Sequence, residues 1–117
     1  MNESEIQEHI RASLNTGRTR AWRNNIAKAQ VHGGRWVNFG IPGPGGSDLV
    51  GLHSIIIEPH HVGKRMAVFL AVEVKSATGK PTPDQINFIK FISSMGGLAG
   101  VASSVEDAQS IVSKICL

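Results

Sequence analysis

The run Val68-Phe69-Leu70-Ala71-Val72-Glu73-Val74-Lys75 constrains the fold more than any other segment of the chain. Side chains two apart on a β-strand point the same way. Val68, Leu70, Val72 and Val74 therefore form one apolar row, expected to be buried, and Glu73 and Lys75 share the opposite face. Glu and Lys are almost never buried unless paired. A strand that carries both is expected to end in a site where a carboxylate and an amine have work to do. A second carboxylate is available upstream, where Gly46-Ser47-Asp48-Leu49-Val50-Gly51 reads as a turn running into a strand. Two carboxylates with a backbone carbonyl and waters suit Mg²⁺ or Mn²⁺. A nearby Lys suits an attacking water and a phosphate oxygen.

A chain of 117 residues is expected to form one domain over 1–117. No apolar run reaches the roughly 18–20 residues that span a bilayer, so no membrane partner is expected. The acidic start, Met1-Asn2-Glu3-Ser4-Glu5, lacks the form of a signal peptide. The lone Cys116 can make neither an internal disulfide nor a Cys-ligated zinc site. Together these imply a reducing cytoplasm. The net charge is +3, and no acidic residue occurs between His9 and Ser47, where Arg11, Arg18, Arg20, Arg23, Lys28 and Arg35 lie. A block of one sign favours a polyanion, and Arg18, Arg20, Arg23, Asn24, Lys28 and Arg35 are the candidate DNA contacts.

Periodicity and caps give the remaining elements. Ser4 to Leu14 reads as a helix with Ile6, Ile10 and Leu14 on one stripe, closed by Asn15-Thr16-Gly17. Arg18 to Val31 reads as partly helical, with Trp22 and Ile26 as anchors. Arg35 to Phe39 is expected as a strand, and Gly40 to Gly46 as a loop. Leu49 to Glu58 and Met66 to Lys75 are expected as strands joined by a hairpin turn at 59–65. There the adjacent side chains of His60 and His61 would diverge. Thr82 opens a helix, with Pro83 in its first turn and Gln85 completing a capping box. Gly96-Gly97 ends it, Leu98 to Ser103 is a strand, and Ser104 caps a last helix burying Ala108, Ile111, Val112 and Ile115. The order α-β-β-β-α-β-α implies an α/β fold with a central mixed sheet flanked by helices. The five histidines show no metal-ligand spacing, and Gly43-x-Gly45-Gly46 is no phosphate loop because no Gly-Lys-Ser/Thr follows.

Asp48, Glu73-x-Lys75, the Thr82-Pro83-x-Gln85 helix, the Gly96-Gly97 turn and the Ser104-Val105-Glu106-Asp107-Ala108 helix occur in the order that resembles the stand-alone VRR-NUC nucleases of phages and bacteria. These form a branch of the PD-(D/E)xK superfamily. Trp22-Arg23-Asn24-Asn25 fits the phage branch, and Ser47 stands where the superfamily name has Pro. The resemblance implies a restriction-endonuclease-like fold. It also implies a Mg²⁺- or Mn²⁺-dependent endonuclease acting as a homodimer on four-way (Holliday) or other branched DNA. It assigns metal ligation to Asp48, Glu73 and the Val74 carbonyl, and catalysis to Asp48, Glu73 and Lys75. It adds Gln85 from the helix and an N-terminal acid, Glu3, with Glu5 and Glu8 as rivals. Two alternatives stand beside it: a nuclease for duplex, flap or single-stranded DNA in phage repair or packaging, and a catalytically inactive DNA-binding module.

Overall fold

The computed structural model describes residues 1–41 and 45–116, so Pro42, Gly43 and Pro44 of the expected loop lie outside the described residues. Two compact units divide the chain, Met1–His53 and Ser54–Leu117.

The first unit opens with α1 (Glu3–Leu14), which starts where the Asn2 side chain accepts the Glu5 N–H at 2.9 Å. Asn15 ends it and does more than cap. Its Nδ2 donates to the Arg11 carbonyl at 2.7 Å and to the Ala21 carbonyl at 2.9 Å, while its Oδ1 accepts the Ala21 N–H at 3.1 Å. One side chain thus fastens the helix to β1 (Thr19–Arg23), whose Ala21 is the buried centre of this unit.

The expected partial helix over 18–31 is instead two strands, β1 and β2 (Ala27–Gln30). β1 runs antiparallel to β4 (Leu49–His53), and β2 runs antiparallel to β3 (Trp36–Phe39). At helical spacing the segment 18–31 offers only Trp22 and Ile26 as large apolar anchors, a stripe too narrow to hold a helix. β1 finds its partner far downstream, from Arg23 opposite Leu49 to Thr19 opposite His53, and β2 closes a hairpin with β3, from Gln30 opposite Trp36 to Ala27 opposite Phe39; strand pairing overrides weak local propensity. Ala21 sits opposite Gly51, where a Cβ would stand 1.9 Å from the Arg20 carbonyl oxygen, so only glycine lets the two backbones close.

The second unit holds η-turn Pro59–His61, β5 (Leu70–Val74), α2 (Pro83–Ser94), β6 (Leu98–Ala102) and α3 (Val105–Ser113). Leu49 to Glu58 was expected as one long strand, but β4 stops at His53. Neither 54–58 nor 66–69 forms a described strand, so no hairpin joins β4 to β5. The turn itself exists as a 3₁₀ turn. It brings the His60 and His61 rings to 4.0 Å between centroids, tilted by 52°, where divergence was expected, because a helical turn does not alternate its side chains as a strand does.

β5 and β6 pair in parallel, with Val72 opposite Gly100 and Glu73 opposite Val101. The described strands form three two-stranded sheets in place of one central mixed sheet. The element order, α-β-β-β-β-β-α-β-α, has two strands more than the sequence suggested. Both helices of this unit begin as expected: Thr82 and Gln85 form a reciprocal capping box, and Ser104 Oγ accepts the Asp107 N–H at 3.0 Å.

Ile92 of α2, Ala99 and Ala102 of β6 and Ile111 of α3 make the core. Val112 and Ile115, expected to be buried, are exposed. The apolar row of β5 is also exposed, Val74 by 74%. The reason lies in the docking of α3, which packs chiefly on β6; Gly100 admits Ile111 so closely that a Cβ would come within 2.9 Å of its Cδ1. The helix therefore covers the β6 half of that face and leaves the β5 half open.

Candidate functional site

The residues that the sequence ranks highest fall in both units, Asp48 in the first and Glu73, Val74, Lys75 and Gln85 in the second. In the second unit, Glu73 and Lys75 share a face of β5 as strand parity requires. Lys75 Nζ lies 3.1 Å from Glu73 Oε1, with the two side chains 21% and 30% exposed. This is the more covered face of the strand. Partial burial makes the pair more than a solvated edge contact. Ladder geometry places the neighbouring carbonyl. Phe69 O accepts from Leu98 N–H and Lys75 N–H donates to Ala102 O, so the backbone groups of odd-numbered residues turn toward β6. In a parallel ladder the alternate residues point the other way. The Val74 carbonyl therefore faces the edge of β5 that has no strand partner among the described residues.

A cavity of about 360 Å³ opens beside this pair, lined by Ala71, Val72, Glu73, Asp84, Gln85, Phe88 and Ile89. It joins two residues expected at the site, Glu73 and Gln85. The two readings of Gln85 are compatible because they use different atoms. Its Oε1 accepts the Thr82 N–H at 2.9 Å, which completes the capping box. That leaves Nε2 as the donor Gln85 can offer to an occupant of the cavity. Asp84 and Phe88 also line it, though the sequence did not single them out for function. The only signal for Asp84 was its place in the first turn of a capped helix, where a carboxylate is common for dipole reasons alone.

In the first unit, Asp48 is exposed and lies just before β4. Asn24 holds it. The Asn24 N–H donates to the Asp48 carbonyl at 2.8 Å, and its side-chain amide donates to the Ile41 carbonyl at 2.6 Å and the Ser47 carbonyl at 3.0 Å. Asn24 Oδ1 accepts the Ile41 N–H at 2.9 Å. One residue thus clamps both ends of the glycine-rich segment that leads to Asp48. Asn24 was expected to contact DNA; its two amide donors are engaged in this clamp. No local pattern marks a residue whose partners are 17 and 23 positions away. Asn24→Asp keeps the acceptor but turns both donor contacts into oxygen–oxygen repulsion. It should lower unfolding free energy by about 1–3 kcal/mol in a denaturant titration, and an unchanged midpoint and slope would contradict the clamp.

The candidate DNA-binding cations are distributed as follows. Arg18, Arg23, Lys28 and Arg35 are exposed. Arg20 is half-buried and donates to the Gly17 and Thr19 carbonyls at 3.0 and 2.7 Å. Arg20 and Arg23, three apart, would share a face on a helix, but on β1 they lie on opposite faces. Arg11 is ion-paired with Glu8, which holds the Glu8 carboxyl below its ordinary value and raises the Arg11 pKa through the same hydrogen bond. Among the three N-terminal acids, Glu5 is bonded to Asn2 and Glu8 to Arg11, while Glu3 has no such partner among the described residues.

No three His, Cys, Asp or Glu side chains converge among the described residues. The second unit nevertheless offers oxygen donors of the hard type, the Glu73 carboxylate and the outward Val74 carbonyl. Mg²⁺ is characteristically held by one or two carboxylates with several retained waters, so this donor set fits a cation of that class. No helix among the described residues is long and apolar enough to cross a membrane.

Comparison with known proteins gives one finding. The VRR-NUC domain family matches residues 1–106, which takes in β1 to β6, both candidate carboxylates, Lys75 and the capped helix. No curated protein and no solved structure matches.

Proposed function

As a member of the VRR-NUC domain family the chain is a nuclease that binds DNA, and we propose that it is a Mg²⁺- or Mn²⁺-dependent endonuclease selective for branched DNA. The observation that carries this reading is the half-buried Glu73–Lys75 pair beside a cavity shared with Gln85. The residues assigned to the cation are Asp48, Glu73 and the Val74 carbonyl. A cation bound there would offset the charge of the phosphodiester and stabilise the leaving oxygen. Glu73 holds Lys75 Nζ beside itself at 3.1 Å, where the amine can orient or deprotonate the attacking water or neutralise a phosphate oxygen. Gln85 Nε2 donates to a phosphate or base acceptor in the cavity. Glu3 is assigned a supporting role as the acid of α1 without a protein partner among the described residues. Arg18, Arg23, Lys28 and Arg35 supply exposed charge for the backbone.

The chain carries one Glu-x-Lys site. Cutting two strands of a four-way junction takes two, and a two-fold homodimer supplies the second. The test is a panel of labelled four-way junction, flap, duplex and single-strand substrates with Mg²⁺, Mn²⁺ or chelator. Junction cleavage that depends on the cation and exceeds duplex cleavage supports the reading. Equal cleavage of duplex overturns the selectivity, and cleavage in chelator overturns the metal.

Gln85→Glu separates cap from catalysis. A carboxylate still accepts the Thr82 N–H, so stability should stay within about 0.5 kcal/mol. The donor is lost and a negative charge enters a cavity meant for a polyanion, so cleavage should fall roughly 10²-fold. Wild-type turnover would leave Gln85 with the cap alone.

A further inference from the structure

We propose that the β2–β3 hairpin is a reading arm for unpaired DNA, with the Trp36 indole as the platform on which a base stacks. The register sets Lys28 opposite Asn38 and Gln30 opposite Trp36. Directly opposed residues share a face of an antiparallel pair, so this face of the ribbon carries Lys28, Gln30, Trp36 and Asn38. All four are exposed, and Trp36 is 64% exposed. Tryptophan is highly buried on average, and here it stands among three polar side chains that can donate hydrogen bonds. No acidic residue occurs anywhere from His9 to Ser47, so the face meets a polyanion without repulsion from its own segment.

The ribbon is also braced. Val31 N–H donates to the Arg35 carbonyl at 2.8 Å, and Gly34 N–H to the Val31 carbonyl at 3.0 Å. Gln30 Nε2 donates to the Gly34 carbonyl at 3.0 Å. Gly33 and Gly34, with φ of 92° and 81°, supply a turn that residues bearing a Cβ resist. A braced turn presents the indole with little ordering left to do on binding. The flat face of an indole reaches the face of a base only where the base is unstacked, as in a single strand or at a branch. In an intact duplex the bases offer only their edges. Lys28 on the same face and Arg35 beside Trp36 would hold the adjoining phosphates.

The inference rests on the branched-substrate reading above and locates its selectivity on the hairpin. The experiment is binding in Ca²⁺, to suppress cutting, of the full chain and its Trp36→Ala and Trp36→Phe variants. The ligands are a four-way junction, a single strand and a plain duplex of matched length, followed by anisotropy and by intrinsic emission. Trp36→Ala should weaken junction and single-strand binding at least about fivefold and leave duplex binding unchanged. Trp36→Phe should restore most of the loss. Single-stranded DNA should quench wild-type emission, and that quenching should vanish in Trp36→Phe. Equal affinities for all three proteins, or equal losses on duplex, would overturn the proposal. So would dissociation of a dimer on Trp36→Ala without quenching in the wild type, which would make this face a subunit contact. If the wild type binds duplex as tightly as junction and single strand, the branched-substrate reading and the hairpin's role fall together. If it discriminates and Trp36→Ala still does, only the hairpin's role falls.

Discussion

Asp48→Ala and Glu73→Ala are each expected to lose cleavage by roughly 10³-fold or more while remaining folded, since a bound cation is asked for several kcal/mol of transition-state stabilisation. Neither carboxylate is a cornerstone of packing. Asp48 is exposed and is held through its backbone carbonyl by Asn24, so its side chain can go without opening the clamp. Glu73 is joined to Lys75 rather than to the core formed by Ile92, Ala99, Ala102 and Ile111. The measurement is single-turnover cleavage of a labelled junction, with circular dichroism to confirm the fold. Turnover near the wild-type rate in either variant would remove that residue from the site.

The second large effect belongs to Lys75. Lys75→Ala should slow the chemical step by about 10²–10⁴-fold, yet leave cation binding intact or tighter, because the amine competes with a cation for Glu73. Lys75→Arg keeps the charge but not the compact, titratable amine, and should recover binding of DNA more than turnover. A Lys75→Ala variant that cuts normally would transfer the role to another cation, Lys80 being the next in sequence. Measuring turnover at saturating cation separates this outcome from a binding defect.

The helices could be read from the sequence because their signals are local. The Thr82–Gln85 box and the Ser104 cap bond within three residues, and both are present in the structure. The Glu73–Lys75 pair was legible for the same reason, since strand parity fixes their shared face. The strands β1 and β2 were not, because Arg18 to Val31 carries no strong period and finds its partners only through the register with β3 and β4. That miss had a functional cost. A helix would have set Arg20 and Arg23 on one face where β1 sets them on two, and the helical reading hid the ribbon face that carries Lys28 and Trp36. The apolar row of β5 misled in another way. Alternation says which residues share a face, but not which half of that face a helix covers, and α3 lies chiefly over β6. The clamp made by Asn24 and the cavity position of Asp84 were invisible for want of any local pattern.

Cation binding for phosphodiester hydrolysis is proposed to depend on Asp48 and on Glu73. Calorimetric titration of Mn²⁺ into the wild type, Asp48→Asn and Glu73→Gln tests it most directly, since both variants keep the side-chain shape and remove only the charge. The account predicts a saturable site in the wild type whose affinity falls at least about tenfold in each variant. Wild-type Mn²⁺ affinity in both variants would contradict it.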